Sequence, residues 1–178
     1  MTNLTDTSDD TAPQRPYRVL VVCAHNRARS VMGASLLRWY LPPGFTVASA
    51  GFGPEGKPAI PDVVRLLATR GIDASNHRSR AISRELVLGA DLVLTAERTQ
   101  VLTILTELGG EFDRTYTMPE FALGGFGERP RGMEYLKADI PEVDDPTGRS
   151  EAEWQTVWHL VDGWMGLIAS KLERSAGR

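Results

Sequence analysis

The sequence predicts an α/β fold, in which a single domain is built around an open, parallel, four-stranded sheet flanked by helices. Apolar, β-branched runs alternate with segments of helical periodicity from residue 17 onward, and this alternation is typical of parallel sheets with helices on both faces. The 178 residues suit one domain with a substantial core, and the sequence shows no internal repeat. In sheets of this kind, ligands bind beyond the carboxyl ends of the strands.

Each predicted element carries its own local signal. The run YRVLVV at residues 17–22 is β-branched and flanked by loop-forming residues, which is typical of a buried strand. Pro42, Pro43 and Gly44 end the first helix, and Gly71 is the expected C-cap of the second. The predicted strands are residues 17–22, 45–49, 91–95 and 114–118. The predicted helices are residues 29–41, 58–70, 83–89, 96–108 and 151–172, and residues 119–144 form a long excursion rich in glycine, proline and charge.

Composition excludes several classes of function. A net charge of −3 and a pI near 5.6 give no general attraction to nucleic acids or membrane surfaces, and the chain has no apolar run long enough to span a bilayer. Residues 1–15 are acidic and polar, lack the apolar segment of a signal peptide, and are predicted to form a disordered tail ahead of a domain at residues 16–174. The single cysteine excludes an internal disulfide and a cysteine-built metal site, and it indicates a reducing, cytoplasmic environment.

That cysteine lies in the stretch VVCAHNRARS, residues 21–30, where the first predicted strand gives way to the first predicted helix. A lone cysteine at a strand end is usually a small buried hydrophobic residue. Here, however, the turn from strand to helix lets successive backbone N–H groups converge, and a helix N-terminus adds about half a positive charge. Because these conditions stabilise a thiolate, Cys23 is a candidate nucleophile in an anion-binding loop.

The residues around Cys23 fit the same chemistry. Arg29 offers a planar guanidinium that matches a phosphate group through two N–H donors, and Ser30 can donate a hydrogen bond to the sulfur. The residues expected to surround the bound oxyanion are Ala24, His25, Asn26, Arg27, Ala28 and Ser30. The stretch therefore predicts a cradle for a tetrahedral oxyanion with a nucleophile at its base.

A late acidic turn supplies the other half of the reaction. A thiolate that attacks phosphorus expels an oxygen leaving group, which needs a proton from a general acid. The segment DDPTG, residues 144–148, can hold a carboxyl group rigidly because Pro146 fixes φ and Gly148 turns the chain. On its own this segment is an ordinary turn, but together with the Cys23 loop it becomes the candidate source of the acid.

Together these features resemble the low-molecular-weight protein tyrosine phosphatases, over most of residues 17–172. The likeness depends on Cys23, the Arg29-Ser30 pair that follows after five residues, and the late Asp-Pro pair. It implies that Cys23 is the nucleophile, Arg29 the phosphate clamp and Asp145 the general acid. It also implies a hydrogen-bond network that holds the loop, made by Asn26, Ser49 and His77. Members of this family use no metal or other cofactor and react through a phosphocysteine intermediate.

Three positions depart from the family's pattern. His25 stands where the family usually has glycine, a feature similar to thiol-coupled arsenate reductases. Ala28 stands where the family often has a second cysteine, so an oxidised nucleophile would depend on an external thiol for its recovery. Thr147 follows the Asp-Pro pair where aromatic residues commonly wall the cleft, and Phe52 or the excursion at residues 119–144 could supply the ring instead.

Three functions are compatible with these residues. The first is a cytoplasmic phosphomonoesterase that acts on a phosphorylated protein or a small phosphate ester, with phosphotyrosine, phosphoarginine and small esters all open; neither nucleic acid nor a membrane is expected as a partner. The second is an arsenate reductase that passes its adduct to an external thiol, and the third is a non-enzymatic anion reader.

Two further charged residues are noted. Arg27 at the rim of the loop favours anionic substrates. Glu97 is either a family acidic position or a first-turn carboxylate favoured by the helix dipole.

Overall fold

A computed structural model describes residues 15–124 and 129–176, and it contains one four-stranded sheet with helices on both faces. The strands are β1 (Tyr17–Cys23), β2 (Phe45–Gly51), β3 (Leu92–Thr95) and β4 (Thr115–Thr117). The helices are α1 (Arg29–Tyr40), α2 (Pro61–Ala68), α3 (Arg84–Leu88), α4 (Arg98–Glu107), α5 (Met118–Leu123), α6 (Met133–Lys137) and α7 (Glu151–Ala176).

All strand pairings in the sheet are parallel, in the order β2-β1-β3-β4. Cys23, the last residue of β1, is in register with Gly51, the last residue of β2. On the other side of β1, Val22 is in register with Thr95, which ends β3. The carboxyl ends of these three strands therefore meet at one edge of the sheet. The predicted fold, a single-domain parallel four-stranded sheet flanked by helices, is confirmed.

Alternate residues of β1 face the two helical layers, as the period of two along a strand requires. Val19, Val21 and Cys23 pack into one apolar core with α1, α2 and α7. Leu20 and Val22 pack into a second core with α3 and α4 on the opposite face. Because a fully buried aliphatic side chain contributes about 1.5–3 kcal/mol, this strand is a main source of stability for the edge on which Cys23 lies.

The helices differ from the predictions mainly at their ends. The second helix begins at Pro61 and not at residue 58, because Pro58 instead forms an isolated antiparallel bridge with Arg78. Gly71 closes the turn after this helix with a positive φ of 72°, as predicted for a C-cap. α7 buries the predicted apolar stripe, which consists of Trp154, Val157, Trp158, Val161, Met165, Ile168 and Leu172. In the part of the chain that the structure describes, no helix has both the length and the apolar composition needed to cross a bilayer.

The excursion predicted for residues 119–144 contains two helices, α5 and α6, that the composition conceals. α5 begins with a reciprocal cap, in which Thr117 Oγ1 accepts from the Glu120 N–H and the Glu120 carboxylate accepts from the Thr117 N–H. The same buried carboxylate pairs with Arg129 and accepts a hydrogen bond from the Tyr135 hydroxyl. Side chains 9 and 15 residues away from Glu120 therefore hold this segment in place. Its residues 125–128 lie outside the described residues.

The predicted N-terminal tail, residues 1–15, also lies outside the described residues, with one exception. Arg15 is described, and its guanidinium forms two hydrogen bonds with the carboxylate of Asp91, at 2.6 and 2.8 Å. This pair connects Arg15, two residues before β1, to the turn that leads into β3.

Candidate active site

Cys23 lies at the carboxyl end of β1, where the chain turns into α1. Its side chain is 3% exposed, and its sulfur lies 3.0 Å from Ser30 Oγ. Asn26 Nδ2 donates to the same hydroxyl oxygen over 2.9 Å, which leaves the hydroxyl proton of Ser30 free to point at the sulfur. When the sulfur is a thiolate it can only accept, so the Ser30 hydroxyl is then its hydrogen-bond donor.

Asn26 holds the loop in a conformation that few residues adopt. Its φ of 51° lies in the left-handed region, and its side chain is almost fully buried. Its Oδ1 accepts from the Arg80 backbone N–H at 2.9 Å, and its own carbonyl oxygen contacts His77 Nε2 at 2.8 Å. Gly51 closes the loop from the sheet side, since a Cβ there would lie 2.6 Å from the Asn26 nitrogen.

The backbone of the loop presents a set of uncommitted donors. Within residues 15–124 and 129–176, no acceptor is found for the N–H groups of residues 25–30, and the N-cap of α1 at Ala28 has no side-chain cap. Groups of this kind at a helix N-terminus bind anions, because their partial positive charges converge. The loop thus has the donors for an oxyanion placed above Cys23.

Arg29 is buried and lies between two carboxylates. One terminal nitrogen donates to Glu97 Oε1 at 2.6 Å and to the Val143 carbonyl oxygen at 2.9 Å. The other donates to Asp145 Oδ2 at 3.0 Å. These contacts orient the guanidinium and connect the end of β3 and the late acidic turn to the Cys23 loop.

Asp145 is half-buried, and its surroundings favour the ionised carboxylate. Burial alone would raise the pKa of Asp145, but the Thr147 N–H, together with the positive charge of Arg29 and the nearby His25 ring, outweighs burial and brings the pKa below its usual range. The Thr147 N–H donates to Asp145 Oδ1 at 3.0 Å. This hydrogen bond closes the turn that Pro146 and Gly148 predict. In the ligand-free protein Asp145 is therefore an anion bound to Arg29.

Above Cys23 the structure forms a cleft of about 190 Å³. Its lining residues are Cys23, His25, Arg27, Ala28, Arg29, Ile60, Asp145 and Thr147. The structure thus brings together the three residues expected to be catalytic, Cys23, Arg29 and Asp145, in one concave site. In the described residues, no cluster of three or more acidic, histidine or cysteine side chains that could hold a metal ion is found.

A family model described as low molecular weight phosphotyrosine protein phosphatase matches residues 18–176. The chain belongs to this family. The resemblance stated on the residues of the Cys23 loop and the late Asp-Pro pair is therefore confirmed over the whole α/β domain.

Curated members of the low molecular weight phosphatase family match the chain over different lengths. A probable low molecular weight protein-tyrosine-phosphatase EpsP of Ralstonia nicotianae is 46% identical over 83 residues, which cover 46% of this chain and 57% of that protein. The match to its counterpart in Ralstonia solanacearum covers 52% of that protein, so the chain spans about half the length of these two relatives. A protein-arginine-phosphatase of Geobacillus stearothermophilus is 36% identical over 146 residues, 79% of this chain and 98% of that protein.

Solved structures of the family agree with the fold. The YwlE arginine phosphatase from Geobacillus stearothermophilus superposes with a TM-score of 0.77 at 28% identity, covering 90% of this chain and 95% of that one. A low molecular weight protein tyrosine phosphatase from T. tengcongensis gives a TM-score of 0.71 at 28% identity, with 87% of this chain and 99% of that chain covered.

Two expectations carried over from the phosphatase family do not match the geometry. Ser49 was expected in the network that holds the loop, but in the described residues its hydroxyl makes no side-chain hydrogen bond, and the Arg80 backbone N–H is the partner found on Asn26. Phe52 was expected as a possible aromatic wall, yet its ring is 40% exposed and does not line the cleft. Among the described residues, no aromatic side chain lines it; Ile60 provides the apolar wall.

Other contributors to this phosphatase-family site were missed or left open by the sequence. Ile60 and the Val143 carbonyl oxygen carried no signal, because apolar loop residues and backbone oxygens look alike along a sequence. Glu97 had two interpretations, and the structure combines them: its side chain accepts from Arg29, while it also caps α4 through a reciprocal pair with Gln100. The acidic residue at the start of the predicted helix was the available signal.

Proposed function

We propose that this chain is a cysteine-dependent phosphatase that removes phosphate from a phosphorylated protein side chain through a phosphocysteine intermediate. The observation that supports it most is the convergence of the Cys23 sulfur, the uncommitted N–H groups of the loop and the Arg29–Asp145 pair in one cleft. The compartment we propose is the cytoplasm, because the only cysteine has to stay reduced to act as a nucleophile.

In the first step, the Cys23 sulfur attacks the phosphorus atom of a phosphate group that occupies the loop. The bond from phosphorus to the leaving group breaks, and the leaving atom takes a proton from Asp145. The loop N–H groups and the Arg29 guanidinium stabilise the charge on the three equatorial oxygens. Ser30 stabilises the thiolate before attack and again when it leaves.

In the second step, water attacks the phosphocysteine. Asp145, now a carboxylate, accepts a proton from the water, and the phosphorus–sulfur bond breaks to release phosphate and restore the thiolate. One carboxyl group therefore acts first as an acid and then as a base. Its position against Arg29 keeps it within reach of the reacting phosphate in both steps.

Two substrate classes are supported by different observations. Phosphotyrosine is the first candidate, because the family model and the EpsP relatives are named for it. Phosphoarginine is the second, because the arginine phosphatase of Geobacillus stearothermophilus aligns over 98% of its length. The relatives are named as phosphatases, which favours hydrolysis over the arsenate reduction left open by the sequence.

A substrate panel tests this proposal. Purified wild type, Cys23→Ser and Asp145→Asn are assayed on 4-nitrophenyl phosphate, a phosphotyrosine peptide and a phosphoarginine peptide, with thiol-dependent arsenate reduction measured in parallel. We expect turnover of at least one phosphopeptide by wild type, none by Cys23→Ser, and a loss of about 10²–10⁴-fold in Asp145→Asn. Wild-type activity in Cys23→Ser would falsify the mechanism, and arsenite release without phosphatase turnover would establish the reductase instead.

A further inference from the structure

A second concave surface adjoins the active cleft. It encloses about 240 Å³ and is lined by His25, Arg27, Pro54 and Lys57. His25 and Arg27 line the active cleft as well, so the two cavities share a wall. We infer that this surface, the basic subsite, binds an acidic side chain next to the phosphorylated residue of a protein substrate. The inference rests on the proposed function and adds a specificity determinant to it.

The basic subsite carries two cationic side chains, those of Arg27 and Lys57. In the described residues, neither Arg27 nor Lys57 forms an ion pair. Arg27 uses its Nε–H on the Pro58 carbonyl oxygen at 2.9 Å, which leaves its two terminal nitrogens available. The nearby Glu55 carboxylate accepts from the Ala81 N–H at 3.0 Å. In a chain with a net charge of −3, this local excess of positive charge attracts an anion.

Hydrogen bonds from Ser79, which is buried at 4% exposure, hold the loop that carries Lys57 in place. Ser79 Oγ accepts from the Lys57 N–H at 2.9 Å and donates to the Pro54 carbonyl oxygen at 2.7 Å, while the Ser79 N–H donates to the Lys57 carbonyl oxygen at 2.7 Å. Five polar groups on two segments are thereby satisfied. The backbone of Lys57 is fixed before any substrate arrives, which reduces the entropy lost on binding.

The loop that carries Lys57 is also hydrogen-bonded to the Cys23 loop. The N–H groups of Phe52 and Gly53 both donate to the Ala24 carbonyl oxygen at 2.8 Å. The His25 ring lies against Gly53, since a Cβ on that glycine would be 2.6 Å from Nδ1. Because the backbones of the two loops are hydrogen-bonded, a phosphate bound above Cys23 and a carboxylate bound at Lys57 have a set separation. The subsite thus recognises a neighbouring side chain of the same peptide.

The test compares two phosphopeptides that differ only in flanking charge. Both carry phosphotyrosine, or phosphoarginine if the panel selects it; one has Glu and the other Gln at the three positions on each side. For wild type we expect kcat/KM to favour the Glu peptide by about fivefold, since an exposed ion pair contributes a modest free energy. Lys57→Met should lower this ratio about twofold or more, and Lys57→Glu should reverse it toward a peptide with Lys at the flanking positions. The preference should also decline in high salt.

Lys137→Met is the matched control, because Lys137 lies in α6 and pairs with Glu134 on an exposed surface. It makes the same change of charge and should leave the ratio at the wild-type value. A wild-type ratio of one, or a ratio that Lys57→Met and Lys57→Glu leave unchanged, overturns the subsite. Affinities of the same labelled peptides for Cys23→Ser are measured by fluorescence anisotropy. That comparison tests the charge preference of the subsite even without turnover. A failure of the proposed chemistry is therefore distinguished from a failure of the subsite.

Discussion

The Ser30 hydroxyl oxygen lies 3.0 Å from the Cys23 sulfur, and the protonation state of the sulfur determines which of the two atoms donates. Asn26 Nδ2 already donates to this oxygen, and a thiolate can only accept, so the single hydroxyl proton of Ser30 is directed at an ionised sulfur. A donor in this position stabilises an anionic sulfur, whereas a neutral thiol gains less from it. The chain from Asn26 through Ser30 to Cys23 is therefore the link between the loop's unusual backbone and its proposed reactivity.

Replacing Ser30 by Ala should slow the reactions of Cys23 without unfolding the loop. A hydrogen bond to a charged group contributes about 1.5–3 kcal/mol, which corresponds to a loss of about tenfold or more in kcat. Alkylation of Cys23 by iodoacetamide at pH 6 should slow in parallel, because the reagent reacts with the thiolate. Ser35→Ala, in the same helix but outside the cleft, is the control and should alkylate at the wild-type rate. Equal alkylation rates in the two variants would contradict the donor role of Ser30.

Much of the fold was predictable because its signals are local. The β-branched run of β1, the Pro-Pro-Gly end of α1 and the glycine at residue 71 each act over a few residues. The helices α5 and α6 were not predictable in the same way. They depend on Arg129, Glu120 and Tyr135, whose partnership arises only when the chain is folded.

The residues of the candidate site also fall into those with a local sequence signal and those without one. Cys23, Arg29 and Ser30 lie within eight residues, and a strand-to-helix turn brings them together almost regardless of the rest of the chain. Asp145 needed the likeness to the family, because nothing in a DDPTG turn indicates a position against Arg29. The Arg80 N–H that holds Asn26 had no sequence signal, because nearly every residue type supplies a backbone donor.

Substitutions of Asn26 should reduce stability in two ways, through the lost side-chain hydrogen bonds and through the cost of the left-handed backbone conformation. Asn26→Gly removes the side-chain bonds to Ser30 and Arg80 but tolerates the positive φ, and we expect a loss of about 1–3 kcal/mol in unfolding free energy. Asn26→Ala should lose about 1–2 kcal/mol more in unfolding free energy, because the left-handed conformation is that much less favourable for alanine than for glycine. Urea unfolding curves measure both values. Asn76→Ala, at an exposed loop position, serves as the control and should change stability by less than about 0.5 kcal/mol.

If Asn26→Ala and Asn26→Gly were equally stable, the positive φ would carry no cost, and the loop would have relaxed. A parallel decline of kcat with stability in the two variants would show that the loop geometry serves the reaction. Their KM values for 4-nitrophenyl phosphate separate loss of phosphate binding from loss of chemistry.

Gly51 should not tolerate even a methyl group. A Cβ there would lie 2.6 Å from the Asn26 nitrogen and 2.9 Å from the Cys23 carbonyl oxygen, so a backbone has to move. We expect Gly51→Ala to lose about 1–3 kcal/mol in unfolding free energy, as overpacking usually costs, and to lose phosphatase activity with it. Gly163→Ala is the contrasting control. Apart from its chain neighbours and the local backbone of α7, no heavy atom lies within 4 Å of its Cβ position, and alanine should raise stability by up to about 1 kcal/mol. Full activity in Gly51→Ala would show that the loop does not depend on this contact.

Asp145 has to change its protonation state during the proposed reaction, and the direction can be tested without turnover. In the free protein its pKa is lowered, despite burial, by the Thr147 N–H, by the charge of Arg29 and by the nearby His25 ring. An anion bound in the loop competes for the Arg29 N–H groups and adds negative charge, and both effects raise the pKa of Asp145. The complex therefore holds more protons than the free protein, so anion affinity rises as the pH falls toward the mildly acid range.

Inorganic sulfate is a suitable probe because it stays a dianion at mildly acid and neutral pH and takes up no proton itself. Calorimetric titration with sulfate at pH 5–6, in buffers of different ionisation enthalpy, should show net proton uptake by wild type and a clearly smaller uptake by Asp145→Asn. Asp144→Asn is the matched control, since Asp144 is the exposed neighbour in the same turn, and it should behave as wild type. If Asp145→Asn takes up as many protons as wild type, the proton goes to another group, and the general acid of the first step is not Asp145. If uptake is lost, the same carboxylate that binds Arg29 in the free protein acquires its proton only when an anion occupies the loop. The substrate itself would then prepare the acid that its own leaving group requires.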